Sequence, residues 1–188
     1  MHVPGLKVAI PSTAYDAKGL LKTALRDHNP IVFIENVKLY ATKSVVPDDE
    51  YLIPFGKADV KREGSDLTIV AISAMVHEAL QAADTLAQVG ISAEVVDPRT
   101  LAPLDIETII ASVQKTGRLI VAHKAHKTGG VGAEIAQLVT ERAFDALDAP
   151  VMRVAAEDVP IAASQALEAA TFPGVNEIVM AARKLVNR

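Results

Sequence analysis

Apolar positions in this chain come in two alternating formats: short unbroken runs, and longer stripes repeating every three to four residues. Leu6 to Ile10 is a run, closed by Pro11, and reads as a short buried strand. Thr13 and Asp16 have capping-box spacing, with Asp in place of Glu or Gln. A helix follows from about Ala14 to Arg26, with Ala17, Leu20, Leu21, Ala24 and Leu25 as its stripe. Asn29 precedes Pro30 and is biased away from helix, and Ile31 to Ile34 is a second apolar strand. Two buried strands joined by a helix imply a parallel, right-handed crossover.

Residues 35–51 break the rhythm. They are polar, include Pro47-Asp48-Asp49-Glu50, and read as a linker. Two units are expected, 1–52 and 53–188. In the second, Gly56 to Glu63 suits an edge strand, Leu67 to Ile72 a strand, and Ala74 to Gln88 a helix capped by Ser73 and closed by Gly90. Ser92 to Val96 is a strand, and Asp105 caps a helix that Gly117 stops. Arg118 to Ala122 is a strand, His123 to Gly130 a loop, and Val131 to Leu147 a helix. Val151 to Val154 is the next strand, a Pro- and Ala-rich stretch follows, and Val175 to Val186 is a final helix. Strand–helix units repeated in this way predict an α/β fold: a doubly wound, mostly parallel sheet with a small partial β-α-β appendage at the N-terminus.

Composition narrows the function. Half of the 188 residues are hydrophobic and the formal net charge is −4, so nothing favours nucleic acid. The absence of cysteine excludes disulfides, thiolate catalysis and zinc–sulfur sites. No apolar run reaches the ~18 residues of a membrane span, the first residues lack a signal-peptide plan, and a cytoplasmic location is the expectation.

Four constellations carry possible chemistry. Thr128-Gly129-Gly130-Val131-Gly132-Ala133-Glu134 lies at a strand-to-helix turn, where backbone amides can hold an anion or glycines can simply let a helix pack closely. His123-Lys124-Ala125-His126-Lys127 could attract an anion or form a solvated loop. Asp97-Pro98-Arg99-Thr100-Leu101 falls at the carboxyl end of a strand, as a ligand contact or as a turn with a local Asp–Arg pair. Around Ala24, Leu25, Asp27 and Asn29, free helix-end carbonyls and side-chain oxygens are hard ligands for a cation, or an ordinary helix end.

Motifs in fixed order then mark a family. His2-Val3-Pro4-Gly5-Leu6-Lys7-Val8, Asp16-Ala17-Lys18-Gly19-Leu20, Val96-Asp97-Pro98-Arg99-Thr100-Leu101, Thr128-Gly129-Gly130 and Leu147-Asp148-Ala149-Pro150 resemble the β subunit of the E1 component of 2-oxo acid or acetoin dehydrogenases. The resemblance covers nearly the whole chain. It implies that residues 1–52 are the tail of a pyrimidine-binding domain plus a linker, and 53–188 a transketolase C-terminal-like domain. It places the family's cofactor-activating glutamate and active-site histidine upstream, so no catalytic residue and no cofactor-binding residue is assigned; His2 is no substitute. Thiamine diphosphate and Mg²⁺ are expected in the complete enzyme and not on this chain alone. A potassium ion could be held at Ala24, Leu25, Asp27 and Asn29. Expected partners are the E1 α subunit, a second β subunit, and the subunit-binding domain of the E2 dihydrolipoamide acyltransferase, docking near Asp148 and the terminal Arg188.

Two departures bear on partners. His123-Lys124-Ala125-His126 stands where relatives often read His-Glu-Ala-Pro, and Ile161-Ala162-Ala163 replaces a proline-aromatic stretch. Against the E1β reading stand a free-standing, non-catalytic assembly module and another transketolase-like enzyme such as a deoxyxylulose-phosphate synthase. The incomplete first sheet should also expose apolar edges, predicting self-association or disorder in residues 1–50.

Overall fold

The structure is a computed structural model that describes residues 1–186. Its main sheet has five strands in the order β3-β5-β4-β7-β8: β3 (Asp59–Arg62), β4 (Leu67–Ala71), β5 (Ala93–Asp97), β7 (Leu119–His126) and β8 (Met152–Ala156). All neighbours are parallel except β3, which runs antiparallel along β5 as the edge strand. Helices α2 (Met75–Ala87) and α6 (Val175–Val186) cover one face; α3 (Ile106–Thr116) and α4 (Val131–Ala143) cover the other. Parallel strands buried on both faces carry near-continuous apolar runs, as Leu67, Ile69, Val70 and Ala71 do at 0% exposure. No helix among the described residues is long and apolar enough to cross a membrane.

The N-terminal unit holds β1 (Lys7–Ala9), α1 (Ala14–Ala24) and β2 (Ile31–Phe33), and its two strands pair in parallel as the crossover argument requires. Thr13 caps α1, its hydroxyl accepting from the Asp16 N–H at 3.1 Å. The reading of 97–101 as a turn or ligand contact at a strand end missed β6 (Thr100–Ala102). That strand leaves the larger unit and pairs antiparallel with β1, giving a second sheet in the order β2-β1-β6.

Three local expectations change. Ser73 does not cap α2: it adopts φ +56 and buries its hydroxyl without a hydrogen-bond partner, and Ala74 stands at the cap. Residues 123–126 are not a loop but the end of β7, held by pairing of His126 with Ala156. A short helix, α5 (Gln165–Thr171), fills the Ala-rich stretch. By contrast, Asp105 caps α3 through the Thr108 N–H, and Gly117 ends it at φ +70.

Candidate functional site

The seam between the two units is built from charge. Asp16, on α1, has no exposed surface. It meets Lys61 of β3 at 2.7 Å and the Arg99 Nε at 2.7 Å. The Arg99 contact lies off the hydrogen-bonding axis, so it acts as an ion pair rather than an aligned bond. Asp59 bridges the same two cations at 2.7 and 2.9 Å. Asp97 closes the group: its Oδ2 accepts from the Ser12 hydroxyl, its Oδ1 from the Arg99 N–H at 2.9 Å, and Lys61 stands 3.9 Å away. The local Asp97–Arg99 pair expected from sequence is therefore a backbone contact only, and the Arg99 guanidinium reaches across the seam to Asp16 while pairing with Asp59 on its own side.

Three carboxylates against two cations leave one negative charge in excess, and the titration of the group reflects it. Burial opposes ionisation of Asp16, but hydrogen bonds from Lys61 and Thr13 and the charges of Lys61 and Arg99 outweigh it and hold the carboxyl below its ordinary value. For Asp97 burial wins. It raises the carboxyl to about 6 against Ser12, Lys61 and the Arg99 N–H, with Asp16 adding to the rise. His77 of α2 adds a further tie across the seam, its Nε2 lying 2.8 Å from the Ser12 carbonyl.

Beside the seam, at the carboxyl ends of β4 and β7, lies a cavity of about 760 Å³. Val8, Ile10 and Ile34 of the smaller unit face Ile72, Leu101 and Val131 of the larger, with His123, Lys124, Glu35 and Glu134 among its polar lining. The His123 ring has its Nδ1 3.1 Å from the Ala125 carbonyl, and its Nε2 accepts from the Gly132 N–H at 3.2 Å. These partners select the neutral, Nδ1-protonated form, and burial, then the Arg153 charge, lowers the imidazole against the Ala125 bond. A Cβ at Gly130 would lie 2.7 Å from that ring. A Cβ at Gly132 would lie 2.5 Å from its Nε2, so Gly130 and Gly132 make room for His123 and, at Gly130, for the His126 carbonyl, the packing reading of that motif, whereas Gly129 faces open space.

The cation candidates gather at the end of α1. The Asp27 Oδ1 accepts from the Asn29 N–H at 2.9 Å and from the Asn29 side-chain amide at 2.8 Å, and its other oxygen pairs with Lys7. Lys7 first, then Asn29, holds this carboxyl well below the usual range. The Ala24 carbonyl accepts from the Asp27 N–H at 3.2 Å, and Leu25 is the helix cap. The four residues are together, with an ammonium among them. The docking candidate Asp148 is exposed. It lies 3.6 Å from Arg118, beside a shallow surface cavity of about 640 Å³ lined by Phe144, Leu147, Ala149 and Pro150. Arg188 lies outside the described residues.

Sequence reading missed Asp16, Lys61 and Asp59 as one group. Its only signal was a run of unlike charges, Lys57 to Glu63, on a strand assigned to an edge.

Comparison with known proteins joins these observations. Residues 56–178 match the model of the transketolase C-terminal domain. The chain belongs to that family. Ahead of this transketolase C-terminal domain, residues 1–43 match the transketolase pyrimidine-binding domain. The chain is 55% identical to a pyruvate dehydrogenase E1 component subunit beta from Bacillus subtilis, over 97% of its own length and 56% of that subunit's. It is 46% identical to the beta subunit of an acetoin:2,6-dichlorophenolindophenol oxidoreductase from Cupriavidus necator, over 97% of itself and 54% of the relative. A solved structure described as a split gene transketolase, inactive beta4 tetramer, superposes with a TM-score of 0.84 at 30% identity, over 99% of this chain and 58% of that one. The chain spans about half the length of the curated relatives it matches.

Proposed function

We propose that this chain is the C-terminal portion of the β subunit of a thiamine-diphosphate-dependent 2-oxo acid dehydrogenase. In the assembled enzyme a 2-oxo acid would be decarboxylated and its acyl unit passed to the lipoyl group of E2. The observation that carries the reading is the 55% identity to a pyruvate dehydrogenase E1 β subunit over 97% of the chain, across both domain matches in order. The preference for a 2-oxo acid rests on that one match, since another pyruvate dehydrogenase β subunit, at 45%, stands level with the acetoin β subunits at 45% and 46%.

The chemistry of the reaction belongs to the cofactor. The described residues contain no group of three or more His, Asp or Glu suited to a metal ion. The large cavity sets two glutamates, Glu35 and Glu134, against Lys124. In this reading thiamine diphosphate and Mg²⁺ are held by the complete enzyme and not by this chain alone. The chain's share is scaffold: the ion group at the seam fixes the pyrimidine-domain strands β1 and β2 against the C-terminal domain. The α subunit, a second β subunit and the E2 subunit-binding domain are its partners in this reading, with Asp148 and Arg188 at the E2 contact. A potassium ion at Ala24, Leu25, Asp27 and Asn29 belongs to the same proposal, and Lys7 is its competitor for Asp27.

The test is reconstitution. The upstream half of the Bacillus subtilis subunit is joined to residue 1 and produced with that enzyme's α subunit. Oxidation of pyruvate and of acetoin is then assayed side by side with dichlorophenolindophenol, with thiamine diphosphate and Mg²⁺ supplied. Turnover of pyruvate supports the proposal. Turnover of acetoin alone, or of neither by an intact assembly, overturns it.

A further inference from the structure

Asp148 is fixed through its backbone, and its carboxylate faces solvent. Its N–H donates to the Gly117 carbonyl at 2.7 Å, and its side chain lies across Gly117, where a Cβ would overlap Oδ2. Gly117 adopts φ +70 to close α3, so the residue that stops the helix also leaves the space this side chain occupies. The Asp148 side chain is 63% exposed. Beside it lies the surface cavity of about 640 Å³, lined by α4 and the start of β8, with Leu147, Pro150 and a 68% exposed Phe144 among its walls. An acid beside an apolar trough fits a partner that brings a positive charge and an apolar side chain together.

A cation of the chain's own already stands there. The Arg118 Nη2 lies 3.6 Å from the Asp148 Oδ2. That is close enough for attraction and too long for a hydrogen bond, so the guanidinium neutralises the carboxylate without orienting it. The other nitrogens of Arg118 do not hold it to Asp148. Nη1 donates to the Asp66 carbonyl at 3.2 Å, and Nε is buried with no partner among the described residues. The Arg118 side chain, 25% exposed, sits deeper than that of Asp148. A positive group arriving from solvent therefore reaches the carboxylate first, and must then displace the guanidinium's attraction and tolerate a like charge behind it.

We propose that Arg118 is an internal competitor at the E2 docking surface: it pairs with Asp148 while the surface is free and yields that carboxylate to a positive side chain of the E2 subunit-binding domain. The inference rests on the reading that Asp148 lies at the E2 contact, and it adds the residue that tunes that contact. Its effect is to hold affinity below what the acid and the apolar trough would give alone. Differences of this kind between related complexes fall mainly on dissociation, so Arg118 keeps the docked domain exchangeable.

The experiment uses the reconstituted assembly, in which the chain is joined to the upstream half of the Bacillus subtilis β subunit and produced with the α subunit. The probe is the isolated subunit-binding domain of that organism's E2, titrated by calorimetry at low salt. Arg118→Gln should tighten binding about threefold, the scale of one exposed ion pair, and Asp148→Asn should weaken it by about as much or more. In the Asp148→Asn background the Arg118 substitution should change little, because the competition acts through that carboxylate. Arg118→Lys keeps the charge and should bind as the parent does. Arg118→Leu replaces Arg118→Gln if the melting temperature shows that glutamine disturbs the fold. Binding no tighter in the neutral Arg118 variant, while Asp148→Asn still weakens it, would overturn the inference and leave the docking reading standing. An equal gain with and without Asp148 would overturn it too, as the mark of a general charge effect. An Asp148→Asn assembly that binds like the parent, or a parent that does not bind, would sink the docking reading and this inference with it.

Discussion

Replacing Asp97 with asparagine should stabilise the protein at neutral pH and weaken it in acid. Asp97 is fully buried, and burial has raised its carboxyl from 3.8 to about 6. A group whose folded value lies above its unfolded one binds its proton more tightly in the folded state. The stability it contributes is therefore complete below about pH 4 and is lost as pH rises through about 6. A displacement of about two units at roughly 1.36 kcal/mol each makes the ionised carboxylate an expense of ~3 kcal/mol at about pH 7.5. Asparagine has one acceptor oxygen in place of two, so it forfeits either the Ser12 or the Arg99 N–H bond, a loss of ~1 kcal/mol. Lys61 keeps Asp16 and Asp59, both at 2.7 Å. The variant should thus be more stable by ~2 kcal/mol at about pH 7.5 and less stable by ~1 kcal/mol at about pH 4. Urea unfolding of both proteins across that range measures the difference, and titrations elsewhere cancel in the comparison. A difference that stays constant with pH would refute the charge argument. A variant destabilised at neutral pH would show that geometry, not excess charge, sets the energetics of the seam.

Other outcomes follow from the same geometry. His123 is lowered from 6.5, so its contribution has the opposite sign: stability is present above about pH 6.5 and is lost as pH falls from there to its folded value. Urea unfolding should show that slope in the Asp97→Asn protein, and adding His123→Gln should abolish it. Gly64→Ala should cost ~3 kcal/mol or more in thermal or urea unfolding, because the new methyl would fall on the Ala93–Glu94 backbone, which has no side-chain freedom to yield. Lys7→Ala frees one Asp27 oxygen. If those residues hold potassium, its chloride should raise the melting temperature of this variant above that in sodium chloride of equal strength, and by more than in the parent protein. Equal effects of the two salts would end the potassium proposal.

How far the sequence could be read depended on the range of the forces involved. Helices α2, α3 and α4 were legible because a repeating stripe, a cap such as Asp105 and a stop such as Gly117 lie within one segment. Ser73 looked like a cap for the same local reason and failed, because its left-handed backbone turns the hydroxyl away from the helix's free amides. β6 is three residues long and begins two residues after a proline, too short for any period to show. α5 is missed because a run of alanines among exposed positions draws no stripe. The E1β resemblance named the family, yet it could not show the ion group. Asp16, Lys61 and Arg99 meet only after the chain has folded, across spans of 45 and 83 positions that no local pattern links.

The antiparallel pairing of β6 with β1 has a consequence for how such proteins can be recombined. A cut in the polar stretch before residue 53 would look natural to anyone designing chimaeras from the sequence. It would strip β6 of its neighbour and leave Lys61 and Arg99 facing solvent without Asp16. A cut ahead of β1 would sever none of these bonds. The inheritable module is therefore a domain together with the closing strands of the one before it, and graft libraries for this family should place their junctions accordingly.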